Sequence, residues 1–161
     1  MKCITEFLQY FGESANRRQS SKGIIISPDN KILILRIQTG CHAEGVWDLP
    51  GGGIEDNETM LDCLKREIKE ETNLDLDPKT IKQLKSSNFD IPEDGVHAKW
   101  NYFRAHCTNT NVYLNPAKWN NGLPEHSEYK WLDKIEEIDQ LNMCDQHKKI
   151  LKSELSKLIK K

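Results

Sequence analysis

Three acids stand at helical spacing near the middle of the chain: Glu67, Glu70 and Glu71 occupy positions i, i+3 and i+4. On a helix their carboxylates share one face, where like charges destabilise by a few tenths of a kcal/mol per pair. Glu70 and Glu71 also fall in what would be the last turn, where the helix dipole disfavours negative charge. Two unit charges 4 Å apart repel by about 4 kcal/mol at an effective dielectric near 20. Lys65, Arg66 and Lys69 offset part of this, and a cation bridging the carboxylates would offset far more. Oxygen-only donors suit Mg²⁺ or Mn²⁺ better than zinc. The alternative is a solvated acidic face, which for three glutamates alone is the simpler reading.

The residues in front of them shift that balance. Gly51, Gly52 and Gly53 follow Leu49 and Pro50 and place bare backbone beside the acids. Glycine lets a ligand approach the backbone N–H and C=O groups closely. A turn that admits phosphate oxygens, next to an acidic face that holds a metal, is a site for phosphate chemistry. Alone, the three glycines would read as an ordinary tight loop. The connecting segment predicts a helix over residues 60–72, about 20 Å long at 1.5 Å per residue. Thr59 is its expected N-cap, with Asp62 three positions on. Leu61, Leu64 and Ile68 form its expected buried stripe, and Asn73 can take the left-handed conformation that closes it.

From Gly52 to Leu74 the chain resembles the Nudix hydrolase signature, G-x5-E-x7-R-E-U-x-E-E-x-G-U, where U is aliphatic. Gly52, Glu58, Arg66, Glu67, Ile68, Glu70, Glu71 and Leu74 fall at its positions, and Asn73 replaces the second glycine. The lead-in from Trp47 to Gly52 is similar to the family's as well. The resemblance implies a Mg²⁺-dependent (or Mn²⁺-dependent) pyrophosphohydrolase that cleaves a nucleoside diphosphate linked to another moiety. It further implies that Glu67, Glu71 and the Gly51 carbonyl hold the metal, with Glu70 as a further ligand or the base. Glu58 and Arg66 look like the motif's bracing pair, which would orient Glu67; as a plain surface ion pair they would contribute little. Cys63 reads as a small buried packing residue rather than a nucleophile.

The rest of the chain must position this segment. Its 161 residues suit one domain, and 23 basic against 25 acidic residues leave a net charge of −2, which argues against a nucleic-acid-coating surface. No apolar run is long enough to cross a membrane, and no signal peptide is visible at the N-terminus. The five cysteines are scattered without a C-x-x-C pair, so reduced thiols in a cytoplasm are expected. Residues 1–20 read as an amphipathic segment and linker, and residues 21–161 as the Nudix domain. Residues 22–27 and 31–37, split by Pro28-Asp29-Asn30, predict a hairpin. Further strands are expected over 81–89, 99–107 and 128–132. A flexible turn is expected at 91–97, an exposed loop at 108–124, a helical turn at 135–141 and a closing helix at 145–160. This order suits a three-layer α/β/α sandwich around a mixed β-sheet, the fold the resemblance implies.

Substrate choice is less legible. Trp47, Trp100 and Tyr102 could stack a base or nicotinamide ring, although strand aromatics usually belong to the core. Arg36 could meet substrate phosphates or stay at the surface. Glu125 could read a base edge, add a metal ligand or act as a second base, but a solvated position is the expectation. Pro92 comes late for the family's ADP-ribose marker, and no tyrosine occupies the dinucleoside polyphosphate position. The favoured substrate is therefore a nucleoside triphosphate, cleaved to monophosphate and pyrophosphate, with Gly52 among the residues that contact it. ADP-ribose or another nucleotide sugar is the alternative. A non-catalytic nucleotide sensor on the same fold is a reading of another class, which the retained acids disfavour. The expected partner is a small-molecule nucleotide, with no membrane or nucleic-acid partner; the protein would be a monomer or homodimer.

Overall fold

The computed structural model describes residues 18–38, 45–91, 96–117 and 122–160. The expected N-terminal helix lies outside these residues, as does Pro92. Among the described residues there are six strands: β1 (Arg18–Ile26), β2 (Ile32–Ile37), β3 (Trp47–Asp48), β4 (Lys82–Ile91), β5 (Val96–His106) and β6 (His126–Leu132). The same residues form three α-helices, α1 (Met60–Thr72), α2 (Ile135–Gln140) and α3 (Asp145–Ile159), with a 3₁₀ turn at Pro78–Thr80. The polar stretch expected to be linker becomes strand at Arg18, because its backbone pairs along β5 from Arg18↔Ala98 onward.

The sheet is mixed. Its order is β3-β2-β1-β5-β4, with β6 also paired to β2; β1 runs parallel to β5, and the other pairs are antiparallel. Alternation along the strands divides the core into two layers, as a period of two requires. Ile24, Ile26, Ile32 and Ile34 face Ile138, Ile150, Leu151 and Leu155 of the two C-terminal helices. Ile25, Leu33 and Leu35 face Leu64 and Ile68 of α1. The sheet thus lies between helical layers, as the expected sandwich requires. Among the described residues, no helix is long and apolar enough to cross a membrane.

The expected hairpin forms, but its strands part at once. β1 and β2 register at Ile26↔Ile32, and beyond it the glycine turn takes the place beside β1. Ser21 N–H donates to the Gly52 carbonyl at 3.0 Å and Gly23 N–H to the Pro50 carbonyl at 2.8 Å. Strand divergence therefore opens the cleft into which α1 delivers its acids.

Helix α1 has the bounds the sequence predicts. The Thr59 side chain accepts from Asp62 N–H, and Asn73 closes the helix at φ 56°. One position of its stripe is corrected: Leu61 is 37% exposed, while Cys63, Leu64, Ile68, Glu71 and Thr72 are buried. The inward face runs one residue further round than the leucines suggest, and it carries Glu71 into the protein. In α3, Ile150, Leu151 and Leu155 are buried together with His147 and Glu154, while Ile159 is exposed.

Candidate active site

Helix α1 presents its three glutamates at different depths. Glu71 is buried and accepts a hydrogen bond from Gly51 N–H at 2.8 Å. Glu67 has a side chain 15% exposed and lies against Gly52, where a Cβ would come within 2.4 Å of its Oε1. Glu70 stays at the mouth with 54% of its side chain exposed and is held by Arg66 at 3.2 Å. The convergence expected of three acids is thus graded, with Glu71 buried, Glu67 half-buried and Glu70 outside.

Arg66 braces the front of this arrangement. Its Nε donates to Glu58 Oε1 at 2.8 Å and its Nη2 to Glu58 Oε2 at 2.9 Å, a bidentate pair. Nη2 also reaches the Gly53 carbonyl at 3.1 Å, and Nη1 reaches Glu67 Oε1 at 2.8 Å. One guanidinium therefore ties the glycine turn to the acid helix. Its hydrogen bonds pull the Glu58 pKa down to about 2. Cys63 is a buried residue whose thiol donates towards the Gly52 and Gly53 carbonyls, a packing role.

Glu125 corrects an expectation. It is half-buried rather than solvated, and its backbone carbonyl accepts from Gln38 N–H at 2.8 Å, which fixes it at the end of β2. Burial, then the charge of Glu67, pushes its pKa up to about 7, with Lys22 pulling the other way. Glu71 rises well above the ordinary carboxylate value through burial and the charge of Glu125. Burial also raises Glu67, against the pull of Arg66. Three carboxylates thus sit close together in partly desolvated surroundings and repel one another.

Trp100 is also corrected. It is 3% exposed and its ring packs 4.7 Å from that of His147, so it is core rather than a stacking surface. The alternation of β5 sends it and Tyr102 into the first core layer. Trp47 is half-buried and packs against the same layer. Arg36 lies on β2, paired with Glu128 at 3.1 Å, its side chain 43% exposed.

Four polar residues that the sequence reading passed over stand in or behind the cavity. Lys22, buried on β1, donates to Asp48 Oδ2 at 2.7 Å, to the Leu49 carbonyl at 3.3 Å and to the Gly51 carbonyl at 3.2 Å. Burial would lower its pKa, but the charge and hydrogen bond of Asp48, with Glu71 and Glu125, outweigh that and raise it. Asp48 Oδ1 meets His147 Nδ1 at 3.0 Å. Burial opposes a charge on His147, yet the bond to Asp48 raises its pKa to about 9. Asp48 in turn sits well below the usual carboxylate range, its burial overcome by Lys22 and His147. The fourth, His126, stands beside Glu71 with its side chain 9% exposed, and desolvation lowers its pKa to about 4. A lysine inside an apolar strand and an Asp directly after Trp47 were the available signals.

The donor set fits a divalent cation. Glu67, Glu71 and Glu125 face Lys22, which also serves Asp48, and Arg66, which also serves Glu58 and Glu70, so carboxylates stay in excess over cations. The donors are hard oxygens, which hard cations prefer.

Comparison with known proteins agrees with this geometry. The family model of the NUDIX domain matches residues 17–153. An RNA pyrophosphohydrolase of Erythrobacter litoralis is 30% identical over 128 residues, covering 73% of this chain and 77% of that protein. An 8-oxo-dGTP diphosphatase of Proteus vulgaris is 34% identical over 67 residues, which cover 42% of this chain and 60% of that protein. Among solved structures, a MutT protein from Methanosarcina mazei superposes with a TM-score of 0.64 at 22% identity, covering 92% of this chain and 97% of its own. With its glycine turn, braced acid helix and split sheet all inside the matched span, the chain belongs to the Nudix family of pyrophosphohydrolases.

Proposed function

We propose that the protein hydrolyses a nucleoside triphosphate to the monophosphate and pyrophosphate, using Mg²⁺. The observation that carries this reading is the excess of carboxylate over cation around Glu67, Glu71 and Glu125, beside the glycine turn. Glu67, Glu71 and the Gly51 carbonyl would hold the ion. When bound, it would offset phosphate charge and make water a better nucleophile.

The chain's own residues do the rest. Arg66, gripped by Glu58, holds the Glu67 carboxylate in place and ties it to the Gly53 carbonyl. Lys22 fixes the turn from behind through the Leu49 and Gly51 carbonyls. Glu70, half-exposed and tethered at the mouth, can take a proton from the attacking water at a carboxylate oxygen and pass it to solvent. Gly52 lets the Glu67 carboxylate lie directly against the turn, where a Cβ would meet it at 2.4 Å. With Trp100 in the core, Trp47 is the remaining aromatic candidate for the base.

A second reading, a triphosphorylated RNA end as substrate, is favoured by the RNA pyrophosphohydrolase relative that matches 73% of this chain. ADP-ribose is a third candidate, since a pyrophosphatase of that name from Methanocaldococcus jannaschii is 46% identical over 50 residues. The test is a panel of nucleoside triphosphates, ADP-ribose and 5′-triphosphorylated RNA, with and without Mg²⁺, read by product identity. Monophosphate plus pyrophosphate from free triphosphates is the expected result. Tight binding of one nucleotide without turnover of any would instead identify a sensor.

A further inference from the structure

His126 is the first residue of β6, and the pairing of that strand slips beside it. Leu132, Trp131, Lys130, Tyr129 and Glu128 pair in order with Ile32, Leu33, Ile34, Leu35 and Arg36, but Ile37 pairs with His126. Ser127 is therefore an extra residue in the ladder, a bulge. Its effect on the next side chain follows from parity. Leu33 and Leu35 belong to the layer beneath α1, whereas Ile32 and Ile34 belong to the opposite layer. Directly paired residues share a face, so His126 takes the face of Ile37, Leu35 and Leu33. Without the bulge, Ser127 would hold that place and His126 would turn to the other layer. The slip aims an imidazole at the acid helix.

The side chain arrives among oxygen donors. It is 9% exposed, and Nε2 stands 3.8 Å from Glu71 Oε1, beyond hydrogen-bonding distance. One ligand atom each from His126, Glu71 and Glu125 lies within 4.8 Å of the others. Metal–ligand bonds of about 2.0–2.2 Å place two donors on one ion about 3–4.4 Å apart. The 3.8 Å separation falls inside that range, and small side-chain rotations bring in the third donor. Glu71 has the oxygens for this, since Oε2 is engaged by Gly51 N–H while Oε1 faces His126.

We propose that Glu71, Glu125 and His126 form a second cation pocket whose nitrogen donor selects a first-row transition ion, such as Mn²⁺ or Co²⁺, over Mg²⁺. The inference rests on reading the acidic cavity as a cation site and adds a donor outside the signature helix. Imidazole suits transition ions, whereas Mg²⁺ keeps to oxygen and water.

The full chain loaded with Mn²⁺ and studied by pulsed electron paramagnetic resonance tests the pocket. The expected spectrum carries coupling from a directly bound ¹⁴N that disappears in His126→Gln. Calorimetric titration should show Co²⁺ affinity falling about tenfold or more in that variant, with Mg²⁺ affinity changed far less. Absence of nitrogen coupling in the unsubstituted protein overturns the pocket without reference to any variant. Coupling that persists in a His126→Gln protein of native circular dichroism also overturns it. If nitrogen coupling is present while no nucleotide is hydrolysed, the hydrolase reading fails and the pocket stands. Hydrolysis without nitrogen coupling has the opposite meaning.

Discussion

Gly51 and Gly52 are neighbours in the turn, yet alanine at each should fail in a different way. A Cβ at Gly51 would meet the Ser21 carbonyl oxygen at 2.1 Å, with the backbone at φ +127°. The obstacle is main chain of β1, which cannot rotate aside. Left-handed backbone costs an L-residue about 1–2 kcal/mol. Losing the two turn-to-strand hydrogen bonds costs about 0.5–1.5 kcal/mol each. The sum is roughly 2–5 kcal/mol, and at about 2–4 °C per kcal/mol the melting temperature should fall by roughly 4–20 °C. At Gly52 the nearest obstacle to a Cβ is the Glu67 carboxylate, at 2.4 to 2.7 Å. That group can swing away on its flexible stem, so Gly52→Ala should lose about 1 kcal/mol, or roughly 2–4 °C. Its damage falls on function, because the swing takes Glu67 out of the cavity. Misplacement of a reacting group by about 1 Å costs ~10²-fold in rate. Thermal unfolding by circular dichroism, paired with turnover of the substrate found in the panel, separates the two variants. Turnover at the unsubstituted rate in Gly52→Ala, or an unchanged melting temperature in Gly51→Ala, would refute the reasoning.

Glu71→Gln keeps the size and the acceptor for Gly51 N–H but removes the charge, so the protein should stay folded. Turnover should fall more than ~10²-fold, since outer-shell partners of metal ligands alone account for about 10–100-fold; an active variant would contradict the metal assignment. Lys22→Met strips Asp48 of its ammonium partner inside the protein, and breaking such a buried pair costs about 3–5 kcal/mol. Because His147 still faces Asp48, the lower end is expected; urea unfolding measures it. The His147 pKa stands at about 9 in the fold against an ordinary 6.5, so the fold holds the proton more tightly than the unfolded chain. Its contribution is therefore full below pH 6.5 and lost as pH rises through 9. Urea midpoints should fall across that window and fall less in His147→Gln; parallel profiles would show that this histidine is not the source.

The acid helix was legible in the sequence because everything that makes it a helix is local. Thr59 caps it, Leu64 and Ile68 repeat at its period, and Asn73 ends it, all within one stretch of chain. Five of the six described strands were legible for the same reason, with boundaries shifted by a few residues, whereas the two-residue β3 was not. Those shifts come from pairing, which extends β1 back to Arg18 because β5 lies alongside. The partition of the aromatics was less visible, since alternation in β5 shows that Trp100 and Tyr102 share a face but not that α3 covers it.

By itself, the sequence determined the signature helix, the glycine turn before it and the phosphate chemistry their combination implies. Only the tertiary structure decided which acids go inside, because exposure depends on what packs against a face rather than on the order of residues along it. It buried Glu71, half-buried Glu67, left Glu70 at the mouth and brought in Glu125 from the segment before β6. It also joined Lys22, Asp48 and His147, which are remote in sequence, into one buried chain of charges. A single bulge at Ser127 turned His126 towards the acids. Such choices depend on long-range contacts and strand register, which no local pattern of residue types encodes.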